Sequence, residues 1–170
     1  ETVIEALGNI GDPAAVPELV KFLKDKDESI CRMAAVALGK IGDASVIPDI
    51  KKAMKGRSLQ VRMSMVRALV ALGDKSEKKV LLDGVKNEDS RVRAYAARIL
   101  GLTRDPEFVP VLTELLLNDR SPAVREKAAA ALGRIGDPSA KAALEKAMGD
   151  YDPFVKAAAK NALQAIESSK

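Results

Sequence analysis

A seven-residue phrase recurs along this chain at a near-constant interval, and that interval restricts the fold more than any other feature. ALGNIGD at Ala6–Asp12 returns as ALGKIGD at Ala37–Asp43, ALVALGD at Ala68–Asp74, ILGLTRD at Ile99–Asp105 and ALGRIGD at Ala131–Asp137. A degraded copy, ALQAIES, starts at Ala162. The step is 31 residues, except for one step of 32 where a residue is inserted near Arg120. A fixed period of this size marks an architecture of stacked repeats. One such unit cannot bury both of its faces, so its stability must come from the interfaces with its neighbours.

Each period reads as two helices. The longer, inner helix carries apolar residues at helical spacing, as in Val124, Ala128, Ala131, Leu132 and Ile135. The preceding copy has Val92, Ala96, Ile99 and Leu100, with Thr103 as a lapse at the last position. Ala129 and Gly133 occupy a second face, which predicts a helix packed on both sides. Asp27, Ser58, Asp89, Ser121 and Asp152 stand where an N-cap should be. Pro122 and Pro153 follow two of them, at the first helical position. The inner helix ends near Gly11, Gly42, Gly73 or Gly136. The next residue (Asp12, Asp43, Asp74, Asp105 or Asp137) then caps the outer helix, and Pro13, Pro106 and Pro138 follow three of these. Outer helices carry Val16, Leu19, Val20 and Leu23, or Val109, Leu112, Leu115 and Leu116.

The expectation is therefore an all-α chain of about eleven helices, forming one array over residues 1–170. It consists of a half unit at 1–11 and helix pairs at approximately 12–42, 43–73, 74–104, 105–136 and 137–170. The stacking face of the interior inner helices holds Ala35, Val66, Ala97 and Ala129, with Gly39, Val70, Gly101 and Gly133 one turn on. Lys160 and Gln164 replace them in the last helix, as in a solvated C-terminal cap. The first inner helix lacks its outer partner, so the native protein is expected to extend further at its N-terminus.

Composition agrees with thin helical layers. Apolar residues make up 47% of the chain, yet aromatic residues only 3%, with no Trp. Histidine is absent and cysteine occurs once, at Cys31. This removes the commonest general base and transition-metal ligand, and with them a zinc site of ordinary make-up. No catalytic residues, cofactor or metal are expected. Cys31 has no partner for an internal disulfide, which fits a reducing compartment. No apolar run reaches the roughly 18 residues of a membrane span, and no signal peptide is visible. A cytoplasmic location without membrane contact is expected. The net charge of +4 and pI of 9.2 are only mildly basic.

The strings VREKAAAALGRIGDP (Val124–Pro138) and ICRMAAVALGKIGDA (Ile30–Ala44) resemble the short HEAT-like repeats also found in phycobilisome lyases. The resemblance covers essentially the whole chain. It implies a right-handed α-α superhelix whose inner helices line a concave surface. It also implies a polar ladder along the turns, joining the basic positions Arg62, Arg93, Arg125 and Lys156 to the positions six residues earlier: Gly56, Asn87, Asp119 and Asp150. Cys31 interrupts that ladder opposite Asp25. Of the HEAT-like enzymes, the deoxyhypusine hydroxylases bind iron through His-Glu motifs, and the alkylpurine glycosylases surround the lesion with aromatic residues including Trp. This chain has neither His nor Trp. The resemblance specifies the fold and not the function; the leading expectation is a non-catalytic scaffold that holds another macromolecule, with a non-catalytic subunit of a bilin-lyase-type complex as one alternative.

The register leaves one stripe of the inner helices free for contact. It runs through Arg32, Met33, Val36 and Lys40, then Met63, Ser64, Arg67 and Ala71, then Ala94, Tyr95, Arg98 and Leu102, then Glu126, Lys127, Ala130 and Arg134. Six basic residues and one acidic one mix with Met, Tyr and Leu, a blend favoured in protein contact surfaces. The expected partner is a protein with an acidic or mixed acidic-apolar segment, bound by Arg32, Met33, Lys40, Met63, Arg67, Tyr95, Arg98, Lys127 and Arg134. Phosphate-backbone binding of a nucleic acid by the same stripe is the second reading. The small net charge and scarce aromatics weigh against it. Cys31 is expected to fill a stacking slot, not to act as a nucleophile. The turn acids Asp25, Asp27, Asp89, Asp150 and Asp152 lack calcium-loop spacing and read as caps and ladder members.

Overall fold

The computed structural model describes residues 3–168. Among them stand eleven α-helices and four short 3-10 turns, and no strand. The inner helices are α1 (Val3–Ile10), α3 (Glu28–Ile41), α5 (Leu59–Ala71), α7 (Ser90–Thr103), α9 (Pro122–Ile135) and α11 (Pro153–Ser168). The outer ones are α2 (Val16–Phe22), α4 (Ile47–Ala53), α6 (Lys78–Gly84), α8 (Val109–Asn118) and α10 (Lys141–Ala147). The chain divides into two compact units, residues 1–80 and 81–170, and the division runs through α6.

In the first unit α3 packs between α1 and α5, with α2 against α3 and α4 against α5. In the second unit α9 packs between α7 and α11, with α8 against α9 and α10 against α11. Small residues make this layering possible. A Cβ added to Gly101 would lie 2.6 Å from the Ala131 Cα, and one on Gly133 would lie 2.8 Å from the Ala162 Cα. Gly8 meets Ala37 and Gly39 meets Ala68 in the same way, at 2.7 and 3.0 Å. Each pair joins one inner helix to the next, so the repeated glycines set how closely the layers approach. Lys160 and Gln164 are both exposed.

The aspartates after the helix-ending turns do not cap the outer α-helices directly. Each caps a turn of different geometry that leads into one. Asp12 accepts from the Ala14 N–H, Asp43 from Ser45, Asp105 from Glu107 and Asp137 from Ser139, each opening a 3-10 turn. Asp74 accepts from the Ser76 N–H. Of the inner-helix caps, Asp27, Ser58, Asp89 and Asp152 accept from backbone N–H groups of the first turn. Ser121 departs from this pattern, because its side chain makes no capping bond. Its backbone N–H donates instead to Asp119 Oδ1 at 2.8 Å, and Pro122 behind it has no N–H to offer. The lapse at Thr103 is also absorbed: the buried hydroxyl donates to the Leu100 carbonyl at 2.6 Å. Helices α3 and α9 end on left-handed glycines, Gly42 and Gly136, whereas α7 ends on Arg104 with φ 52°.

Candidate partner-binding surface

Two arginines of the second unit hold the turns together. Arg93 donates through Nε and Nη2 to Asp119, at 2.7 and 2.9 Å, and through Nη1 to the Asn87 carbonyl at 2.9 Å. Arg125 repeats this one layer on, with Asp150 at 2.7 and 2.9 Å and the Asp119 carbonyl at 2.9 Å. All four side chains are largely buried. Burial pushes the Asp119 carboxyl up, but the Arg93 guanidinium and the Ser121 N–H more than offset it, leaving the pKa lowered. Hydrogen bonds from Arg125 likewise lower that of Asp150. These residues are committed to structure, as are the remaining turn acids. Asp25, Asp27, Asp89 and Asp152 each accept a backbone N–H two residues on.

Cys31 is fully buried, its thiol donating to the Asp25 carbonyl at 3.0 Å. Burial is the largest influence on it and raises its pKa. It is not poised as a nucleophile, since thiolates form where burial is slight and positive charge is close.

The expected contact residues divide between the two units. In the first, Arg32 and Lys40 are exposed and Met33 and Arg67 half-buried. Arg32 reaches Ser29 Oγ at 3.4 Å, and Lys40 Nζ donates to Asn9 Oδ1 at 2.5 Å. Met63 is not on the surface. It is 1% exposed, and its neighbour Ser64, 6% exposed, donates back to the Gln60 carbonyl. The reason lies in α5, whose buried residues run from Val61 through Met63, Ser64, Met65 and Val66 to Ala68 and Leu69. Burial runs round most of this helix and takes in even the polar Ser64, so Met63 lies within the packed layer and not on the stripe. In the second unit, Tyr95, Arg98 and Lys127 are half-buried and Arg134 exposed. The Arg98 guanidinium lies over the Tyr95 ring, 5.0 Å from its centroid. Lys127 pairs with Glu126 at 2.8 Å.

Between α9 and α11 this surface opens into a groove of about 420 Å³. Glu126, Ala130 and Arg134 line one side. Phe154, Ala157, Ala158, Asn161 and Ala165 line the other, with Gly133 and Ala162 below. Ala157, Ala158, Asn161 and Ala165 occupy the same register positions in α11 as Glu126, Lys127, Ala130 and Arg134 do in α9. The stripe therefore continues onto the last helix. The expected contact stripe ends at Arg134, whereas the 31-residue step from α9 leads on to these four residues. Phe154, 72% exposed, carried a weaker signal as an aromatic in a first helical turn.

Comparison with known proteins agrees with the repeat. A sequence profile of HEAT repeats matches residues 1–70 and 79–164. No curated protein matches the chain. Among solved structures, the CpcE–CpcF complex of phycocyanin lyase from Nostoc sp. PCC7120 is similar, with TM-score 0.64 and 20% identity over 89% of this chain and 99% of that one. An engineered protein superposes with TM-score 0.61 and 25% identity, over 97% of this chain and 89% of that one. A designed armadillo repeat protein in complex with a (KR)4 peptide gives TM-score 0.61 and 18% identity, over 96% and 91%. Human deoxyhypusine hydroxylase, with 22% identity and TM-score 0.51 over 97% and 78%, shares the fold. With the profile covering nearly the whole chain and the fold shared by these helical-repeat structures, the chain belongs to the HEAT-repeat family.

Proposed function

We propose that this chain is a non-catalytic scaffold that binds a protein partner through the concave register face of its inner helices. The partner would present an acidic or mixed acidic-apolar segment. The observation that carries the reading is the groove between α9 and α11, because the positions singled out by register there, Glu126, Ala130 and Arg134, border an open cleft. The same register positions of the other inner helices hold cationic and apolar groups. Arg98 is stacked on Tyr95, Arg134 stands exposed, and Arg32, Lys40 and Arg67 take the corresponding positions in the first unit. Arg and Tyr at such positions are the residue types that dominate binding energy in protein interfaces. The chain carries no histidine, so it has no counterpart of a His-Glu motif. No helix among the described residues is long and apolar enough to cross a membrane.

The test is capture from a lysate of the source organism, with nuclease present, by the parent chain and by an Arg67→Glu/Arg98→Glu variant of unchanged helical content. The proposal expects a protein retained by the parent and lost by the variant. Equal retention by both would contradict it. Loss of all bound material on nuclease treatment would favour phosphate-backbone binding instead, and a co-purified pigment absorbance would favour a bilin-lyase-type subunit.

A further inference from the structure

The groove between α9 and α11 has features that the rest of the stripe lacks. Its walls are built from Ala130, Ala157, Ala158 and Ala165, above Gly133 and Ala162. Side chains this short leave the space between two helices unfilled. The resulting concavity is apolar, and an apolar group entering it would leave water. Phe154 closes one end, 72% exposed, with its ring uncovered by the chain. The charges at the rim are unequal. Glu126 is held by Lys127 at 2.8 Å, so its charge is largely offset. Arg134 makes no ion pair or hydrogen bond through its side chain among the described residues. The rim thus carries one uncompensated guanidinium beside an apolar cleft, a combination that suits a carboxylate next to an apolar side chain.

We infer that this groove is the anchor subsite of the contact surface: it takes one aliphatic side chain of a partner's peptide segment, with a neighbouring carboxylate of that segment on Arg134. The inference rests on the scaffold reading and sharpens it, because it places specificity in one cleft and predicts the residue pair that fills it. The geometry divides the roles. The alanine walls and Phe154 supply the apolar contact, Arg134 selects the charge, and Lys127 keeps Glu126 from repelling an acidic segment.

The experiment is an NMR titration of the whole chain, labelled at its alanine methyl groups, with the blocked peptide Asp-Asp-Leu-Asp-Asp. Three probes serve as comparisons: the same peptide with Ser for Leu, the same peptide with Lys for Asp, and a single-stranded octamer of deoxythymidine. The expected result is saturable shifts of the Ala130, Ala157, Ala158 and Ala165 methyls with the Leu peptide, weakened at least fivefold by Ser or Lys substitution. Arg134→Glu should weaken binding at least fivefold, Arg134→Lys should restore most of it, and Phe154→Ala should cost about threefold. All three changes are at exposed positions, and an unchanged melting temperature confirms each fold. The inference is overturned if the Leu and Ser peptides bind alike, if no peptide shifts these methyls at millimolar concentration, or if the octamer shifts them more tightly than the peptide. Should the peptide bind, lose affinity with Arg67→Glu/Arg98→Glu and ignore Arg134→Glu, the subsite is wrong while the scaffold reading stands.

Discussion

Cys31 and Arg57 converge on one carbonyl oxygen. The Cys31 thiol donates to the Asp25 carbonyl at 3.0 Å, and Arg57 Nη1 donates to the same oxygen at 2.8 Å, with Nη2 reaching the Leu23 carbonyl at 3.4 Å. In the second unit the matching carbonyls, of Asn87 and Asp119, are met by Arg93 and Arg125 of their own repeat. The first repeat has cysteine where the arginine should stand, and the guanidinium is supplied from the following turn. Arg57→Ala should therefore cost about 1–2 kcal/mol, because the part-buried Leu23 carbonyl loses the guanidinium and the Asp25 carbonyl keeps only the weak thiol donor. Chemical denaturation measures this. The same variant should also speed labelling of the Cys31 thiol by an aromatic disulfide, which in the parent should proceed only through unfolding.

The Arg93–Asp119 pair is buried, so breaking one half of it should hurt more than removing both. Asp119→Ala should destabilise the second unit by about 3 kcal/mol, since it strands a buried guanidinium. The double change Arg93→Met/Asp119→Leu should recover part of that loss, since the guanidinium is gone but the Asn87 carbonyl and the Ser121 N–H still lose their partners. Urea unfolding of the single and double variants decides the point.

Acid should weaken the first unit through Asp74. Hydrogen bonds from Lys51, at 2.6 Å, and from Ser76 hold this carboxyl down from 3.8 to about 2. A carboxyl whose pKa is depressed on folding contributes stability above its unfolded pKa, and loses it as pH falls through the folded one. That contribution is thus complete above about pH 4 and lost between pH 4 and 2. Lys51→Met should flatten the fall in melting temperature across that window. An unchanged slope would remove Asp74 from the account.

Two substitutions in and after α7 should act in opposite directions. Gly101→Ala improves helix propensity by up to about 1 kcal/mol. Its new methyl, however, would lie 2.6 Å from the Ala131 backbone. Overpacking of about 1–3 kcal/mol should win and lower stability. Arg104→Gly relieves a left-handed residue with φ 52° and should raise stability by about 1 kcal/mol. Thermal melts of both variants are sufficient.

The helical architecture was legible because it is periodic. Glycine, aspartate and proline punctuation recurs with the repeat, and each mark has a local cause in capping or left-handed turns. The stacking contacts of Gly101 and Gly133 follow from the same register. What the period could not reveal are the exchanges between layers. Arg57 replaces an arginine missing one turn earlier, a substitution that appears only once both turns share a carbonyl. Met63 sits at an exposed register position, yet it is buried along with its neighbours Val61, Ser64, Met65 and Val66 on α5. The extension of the stripe onto Ala157 and Asn161 was available in the numbering, but alanines on a last helix give no chemical signal. The cleft they form depends on what the side chains leave empty.

The most direct test of the central claim is site-specific photo-crosslinking. Benzoylphenylalanine replaces Tyr95 on the inner face of α7 in one chain and the exposed Glu114 of α8 in another. Each is irradiated in nuclease-treated lysate of the source organism. The account predicts a protein adduct through position 95, suppressed by Arg98→Glu, and none through position 114. An adduct through position 114 alone would contradict the claim that the inner-helix face is the binding surface.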